Sequence, residues 1–333
     1  MTPKEYRAFL KTTRQKQLAK TAENEKRIIR VFEAMAADAQ KAALKHLGTL
    51  SQGFYLSLLS DVRGRIDILS EDFDKALTAG RADLAQFQVD RQGEIIERAG
   101  IDLPNGFESD QVMEYTLSTG EEVRVNFGSV AARAMTETAK RVYSHGYDLK
   151  GILQNLTAGA KQSVLDTIVQ GVGEGASAQR LGEMLHALFT VSGLDTPFYR
   201  AIRIARTEIS TAYQEAHIQS TKDPQTGDLF DFVQGLQWCL SLSHPKADIC
   251  DVWAAHDSGL GKGVYLLDDV PQRHPNCLCY VTTVLKAYPE VSAPKAIPNV
   301  GDVPDSQVQY WANQGDVPAA TVANNRQLEE VSA

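Results

Sequence analysis

The first 238 of the 333 residues contain no cysteine, and the whole chain has only four. No apolar run approaches the ~18 residues that a membrane span requires, and the N-terminus lacks the apolar core of a signal peptide. Tryptophan is scarce, with three copies, and no internal repeat is visible. These absences argue against a membrane protein, a secreted disulfide scaffold and a solenoid. They lead to the expectation of a chain made and folded in a bacterial cytoplasm, with no membrane partner. Hydrophobic residues at 43% and charged residues at 23% are ordinary for a protein that buries a core.

Charge is unevenly spread. The net charge is −8, yet residues 1–50 hold eleven Lys/Arg against five Asp/Glu, leaving the remainder strongly acidic. The opening "TPKEYRAFLKTTRQKQLAK" offers Thr2 as an N-cap, Pro3 at the first helical position and Glu5 to complete a capping box. Lys4, Arg7, Lys11 and Arg14 recur every three or four residues, along one helical face. That stripe forms a basic arm suited to an acidic protein surface or to DNA; the alternative is a solvated helical face.

Periodicity predicts a second helix from about Thr21 to Leu47, with Ile28, Phe32, Met35, Ala39 and Ala42 on its apolar stripe and Gly48 ending it. Helical pattern continues to Gly100, ahead of a "PNG" turn. "MEYTLSTGEEVRVNF" then alternates on both sides of Thr119-Gly120, which predicts a β-hairpin over 113–127. Further helices are expected over about 130–145, 158–170, from Ser177 to Phe189, and 196–220. After the turn-rich "KDPQTGD" the chain becomes short strands and loops to about Val284, and the tail from Tyr288 is poor in large apolar residues. The expected fold is mainly α-helical with a β-hairpin, plus a small C-terminal α+β Cys/His-rich module over 236–284. The expected organisation is a helical N-terminal region (1–110), a central region (111–284) and a flexible or partner-ordered tail (285–333).

All four cysteines lie between Cys239 and Cys279, with His244, His256 and His274 among them. The spacing His244-x5-Cys250-x23-His274-x2-Cys277-x-Cys279 is two ligand pairs separated by a loop, the pattern of a structural zinc site. In a strand a C-x-C pair sends its side chains to opposite faces, which leaves open whether one or both of Cys277 and Cys279 bind. Buried cysteines acting as small hydrophobes are the plain alternative. The zinc-deaminase pattern is absent because His274 is followed by Pro275 and Asn276 rather than by the needed acid, and there is no HExxH. An enzyme using this segment as a metal-dependent hydrolase would draw on Asp248, Asp251 or Asp257. A DNA-binding module would need a basic stripe here, whereas 244–279 is mildly acidic. "GLGKG" (259–263) lacks the spacing of a phosphate-binding loop and reads as a flexible turn.

Within the helix predicted over 196–220, Ile202, Ala205, Ile209, Ala212, Tyr213 and Ala216 form the apolar face. Arg206 and Glu208 flank it, each placed to hold a loop of the Cys/His module.

"IARTE" on a helix, a Trp-containing strand, "SHPKADICDVWAAHD", "GLGKGVY" and "HPNCLC", in that order, resemble the phage Mu F-like minor head protein family, also called the phage head morphogenesis family. The resemblance covers about residues 150–284. Many members carry a C-x2-C in the middle motif; here Trp253 stands three residues after Cys250, and His244 is the candidate replacement ligand. The resemblance implies a minor capsid component of few copies, assembling with the portal or major capsid protein and in some phages linked to DNA packaging or delivery. Related domains fused to toxin enzymes make a virion-delivered effector the alternative.

Overall fold

The computed structural model describes residues 1–45, 52–98, 100, 102, 106–142, 146–191, 196–222, 233–244, 246–293, 295–304 and 306–307. The expected Gly48 stop, the "PNG" turn (except Gly106), the "KDPQTGD" break beyond Lys222 and the tail beyond 307 lie outside them.

Helix α1 (Pro3–Leu44) opens as the sequence predicts: Thr2 Oγ1 accepts from Glu5 N–H, Glu5 reaches back to Thr2 N–H, and Pro3 occupies the first turn. The two helices expected on either side of about residue 20 are one continuous 42-residue helix. The polar stretch there is absorbed by bonds rather than used as a break. Thr21 Oγ1 donates to Gln17 O at 2.9 Å, and Asn24 Nδ2 donates to Lys20 O and Asp83 Oδ2, both at 3.0 Å.

Helix α2 (Gln52–Arg98) runs beside α1, and strands β1 (Gln111–Thr116) and β2 (Glu122–Phe127) form the predicted antiparallel hairpin. Its turn closes through Leu117 and Gly120, the latter at φ +81°, where glycine meets no Cβ penalty. Leu117, Val123 and Val125 turn inward onto the helices, while Glu121 takes Arg27 and Arg30 of α1 at 3.1 and 2.9 Å.

Helix α3 (Ser129–Ala139) is shorter than the expected 130–145. Helix α4 (Leu149–Gly173) begins nine residues earlier than the expected 158, because the Asp148 side chain caps Gly151 N–H at 2.7 Å. Helix α5 (Ala178–Thr190) is capped by Ser177, as expected, and helix α6 (Pro197–Lys222) completes the helical body. α1 packs on α2 and α5, and α2 on α6. The main core gathers Ile28, Phe32, Phe73, Leu84, Leu185, Phe189 and Ile209, with Phe32 edge-on to Phe73 and Phe198.

The C-terminal module is a three-stranded antiparallel sheet, β4-β3-β5, from β3 (Val233–Cys239), β4 (Val264–Tyr265) and β5 (Tyr280–Leu285). Helix α7 (Ile249–Ala255) lies between β3 and β4 in sequence. Trp238 and Trp253, both fully buried, meet edge to face at 4.9 Å amid Leu236, Leu240, Val252 and Val281. "GLGKG" is a built turn rather than a flexible one. Asp257 Oδ1 accepts from Gly259 and Gly261 N–H, and Gly263 at φ +72° fits where a Cβ would lie 2.9 Å from Ala254 O.

Residues 288–293 and 295–303, expected to belong to a flexible or partner-ordered tail, lie against this module and the start of α1. Val291 and Ala293 are buried beside Tyr6, Val300 and Val303 join the tryptophan core, and Asn299 N–H donates to Asp251 at 2.7 Å.

The module and the helical body meet through α1, α2 and α6. Tyr6, Phe9 and Leu10 pack on Ile95, Tyr280 and Leu285, and the Tyr6 hydroxyl donates to Thr283 O at 2.6 Å. Buried His217 of α6 donates through Nε2 to Thr283 Oγ1 at 2.6 Å, whose hydroxyl donates in turn to Gln92 Oε1 at 3.2 Å. Burial depresses this imidazole to about 3, so it is neutral in the folded chain, whereas the unfolded chain takes up a proton below its ordinary value of 6.5. The contribution is therefore whole above pH 6.5 and is lost as pH falls, by about 1.4 kcal/mol per pH unit. Urea unfolding at pH 7.5 and 4.5 should show wild type losing about 2–3 kcal/mol more than His217→Gln; equal losses would contradict this role.

Candidate metal centre

Two local structures bring the site together. Asp248 and Asp251 form a capping box at the start of α7, which fixes Cys250 at the second helical position facing the loop before β5. That loop turns at Pro275-Asn276, with Asn276 at φ +63°, a left-handed conformation that asparagine tolerates better than most residues. Cys277 N–H donates to His274 O at 3.3 Å. The turn folds His274 and Cys277 towards one point, as its sequence suggested.

Cys250 Sγ lies 3.1 Å from His274 Nε2 and 3.4 Å from Cys277 Sγ, and the ligand atoms of these three residues lie within 4.8 Å of one another. This group could hold a metal ion. Zn–S and Zn–N bonds of ~2.3 and ~2.0 Å separate tetrahedral ligand atoms by roughly 3.5–3.8 Å, close to the spacing here. The 3.4 Å sulfur separation is far beyond a disulfide bond of ~2.05 Å.

The alternation argument for Cys277 and Cys279 does not apply, because both precede β5 and neither is in regular strand. Both are buried. Cys279 Sγ is 3.7 Å from His244 Nδ1.

His244 stands outside the Cys250–His274–Cys277 group. Its Nε2 donates to Asp251 Oδ2 at 2.8 Å, and it groups with Asp248 and Asp251 instead. Cys279 likewise stands outside that group of three, beside His244. The carboxylates are also committed. Asp251 accepts from His244, Asp248 N–H and Asn299 N–H, and Asp257 is held in the glycine turn. Asp248 Oδ1 accepts from Cys250 N–H at 2.8 Å, while its Oδ2 is 3.4 Å from His274 Nε2.

Electrostatics favour ionisation of Cys277 over Cys250. Burial opposes ionisation of Cys277, but hydrogen bonds from Cys250, Cys279 and His274 overcome it and hold the thiol well below its ordinary value. Burial, followed by the adjacent Cys277, pushes Cys250 up. Burial also disfavours charge on His274, yet the Asp248 hydrogen bond and Cys277 raise the imidazole to about 10. Asp248 and Cys250 both approach Nε2 of His274, while Nδ1 lies 3.0 Å from Pro275 O. In a thiol–imidazole–carboxylate relay the acid sits on the opposite nitrogen from the thiol, an arrangement these residues do not make. They present soft donors with an oriented imidazole, the chemistry of a thiolate-rich metal site.

The sequence placed Arg206 and Glu208 as holders of a module loop. Arg206 does hold one: its Nη1 reaches Asn276 Oδ1 at 3.4 Å, while Nε and Nη2 form a fork on Glu25 of α1 at 2.9 and 3.1 Å. Glu208 is fully buried and lines a cavity of about 520 Å³ with Arg200, Arg203 and Pro275. Thr207, which sequence reasoning passed over, accepts from Asn276 N–H at 2.9 Å while donating to Arg203 O at 2.7 Å. Thr207 stands inside the "IARTE" motif, but its loop partner lies 69 residues away, so local pattern gives it no role.

Of the basic stripe, Lys4, Arg7 and Lys11 are exposed. Arg14 is not a free contact for DNA or portal: its Nη2 donates to Leu278 O at 2.8 Å and its guanidinium lies over the Tyr280 ring at 3.9 Å.

No family model, no curated protein and no solved structure matches this chain. Among the described residues, no helix is long and apolar enough to cross a membrane.

Cobalt(II) titration reads the ligand set directly. His244→Ala should keep a tetrahedral thiolate spectrum with affinity weakened about tenfold, whereas Cys250→Ser and Cys277→Ser should lose it; loss of the tetrahedral bands in His244→Ala would make this imidazole a ligand.

Proposed function

We propose that this chain is a minor head protein of a bacteriophage or prophage, a structural component that docks on the portal or the capsid interior. Its Cys/His module is stapled by one zinc ion, held by Cys250, His274, Cys277 and Cys279. The observation that carries the reading is the contact between two motifs of the family resemblance, "IARTE" and "HPNCLC". Arg206 and Thr207 of the first grip Asn276 of the second, so motifs widely separated in sequence act as one structural unit. A set of soft donors with its cysteines buried, and with Asp251 and Asp257 committed to a cap and a turn, favours a closed structural zinc over an open catalytic one. The ion would supply cross-linking of α7 to the loop before β5; Pro275 O, 3.0 Å from Nδ1 of His274, would orient that imidazole through the nitrogen that does not face Cys250.

On this reading the surface for an acidic partner, portal or packaged DNA, is the exposed part of the basic stripe at Lys4, Arg7 and Lys11, without Arg14. These side chains are exposed on α1, so they can be reversed in sign without entering the core.

Two measurements test the proposal. Mass spectrometry of purified particles should find the chain at a low copy number relative to the major capsid protein; its absence from heads would contradict the assignment. Protein purified without added metal should carry one zinc per chain, and Cys250→Ser should abolish it; a stable, folded wild type without metal would remove the staple.

A further inference from the structure

The segment Arg273–Cys279 is held from outside at Arg273, Asn276 and Leu278. Arg141, which follows α3, donates through Nη2 to Arg273 O. Thr207 of α6 accepts from Asn276 N–H, and Arg206 donates to the Asn276 side chain. Arg14 of α1 donates to Leu278 O, and Arg273 itself turns back to donate to Cys279 O. None of these groups is a candidate metal ligand, and three of the four outside residues belong to helices α1 and α6 of the body.

These contacts converge on the residues that must adopt special geometry. Asn276 sits in the left-handed region between His274 and Cys277, so its φ decides whether their donor atoms face one point. The Thr207 hydroxyl is locked by its bond to Arg203 O, which leaves a lone pair aimed at Asn276 N–H. The Arg206 fork on Glu25 likewise fixes the guanidinium before it reaches Asn276. On its other side the segment joins the module's own core: Cys250, Cys277 and Cys279 pack in one cluster with Trp238 and Trp253, and the Trp253 ring lies 6.3 Å from that of His274.

We propose that Arg206 and Thr207 are positioning residues for the metal centre, and that metal occupancy and docking of the module on the helical body are thermodynamically coupled. The inference rests on the metal reading above. The helical body pre-forms the turn that brings His274 and Cys277 together, and by reciprocity a bound metal tightens the loop's grip on α1 and α6. The metal centre then joins the module's core to the helical body, fastening the two together.

The test is zinc affinity of the full chain, measured by competition with a chromogenic chelator using zinc alone. Thr207→Val keeps the shape but removes the acceptor, and should weaken zinc binding about tenfold; Thr207→Ser, which restores the hydroxyl, should recover most of that loss. Arg206→Lys keeps a positive charge near Glu25 but loses the planar fork, and should weaken zinc several-fold even if Thr207→Val fails to fold. A purely structural role would lower stability yet leave the affinity of the folded protein unchanged. Zinc bound equally tightly by wild type, Thr207→Val and Arg206→Lys overturns the coupling alone. A wild type that binds no zinc overturns the metal reading, and the coupling with it.

Discussion

The loop from Arg273 to Cys279 has to satisfy two sets of demands within seven residues. Its backbone must be satisfied by arginines and a threonine from the helical body, and its His274, Cys277 and Cys279 side chains must meet Cys250 of α7. A left-handed Asn276 reconciles them, turning the chain so that donors face inward while the peptide groups face α1 and α6. Because buried peptide groups without partners are costly, the position of this loop and the positions of those helices are set together.

The rest of the architecture follows from that joint. The long α1 can serve both regions because it is unbroken: its first turns pack on the module sheet and its later turns pack on α2 and α5. The polar network of Tyr6, Thr283, His217 and Gln92 ties the same interface a second time, and it involves no metal ligand. The module's tryptophan core then gives β3 and α7 a rigid frame, so Cys250 is presented from a fixed helix rather than from a mobile loop.

Local signals were legible in the sequence and long-range pairings were not. The Thr2–Glu5 capping box, the Ser177 cap and the hairpin around Thr119-Gly120 depend on neighbours within a few residues, and all three form as read. The Cys250, His274 and Cys277 cluster was legible because soft ligands are rare in this chain and spaced in pairs. The polar stretch around residue 20 looked like a helix break only because Asp83, the partner of Asn24, is supplied by another helix. Arg14 looked like part of a free basic stripe for the same reason, since Leu278 and Tyr280 lie over 260 residues away. The module's own core was also hidden: its apolar residues are spread over β3, α7, β5 and the segment around Val300, with no periodicity to join them.

Hydrogen exchange of the zinc-loaded and chelator-stripped protein tests the central claim most directly. The account predicts that stripping the metal raises exchange in the loop and in the facing turns of α1 and α6, around residues 10–17 and 203–211. Strands β3 and β5, framed by the tryptophan core, should stay protected. Loss of protection across β3 and β5 while the helical turns stayed unchanged would contradict it, and would make the metal a prop for the module alone.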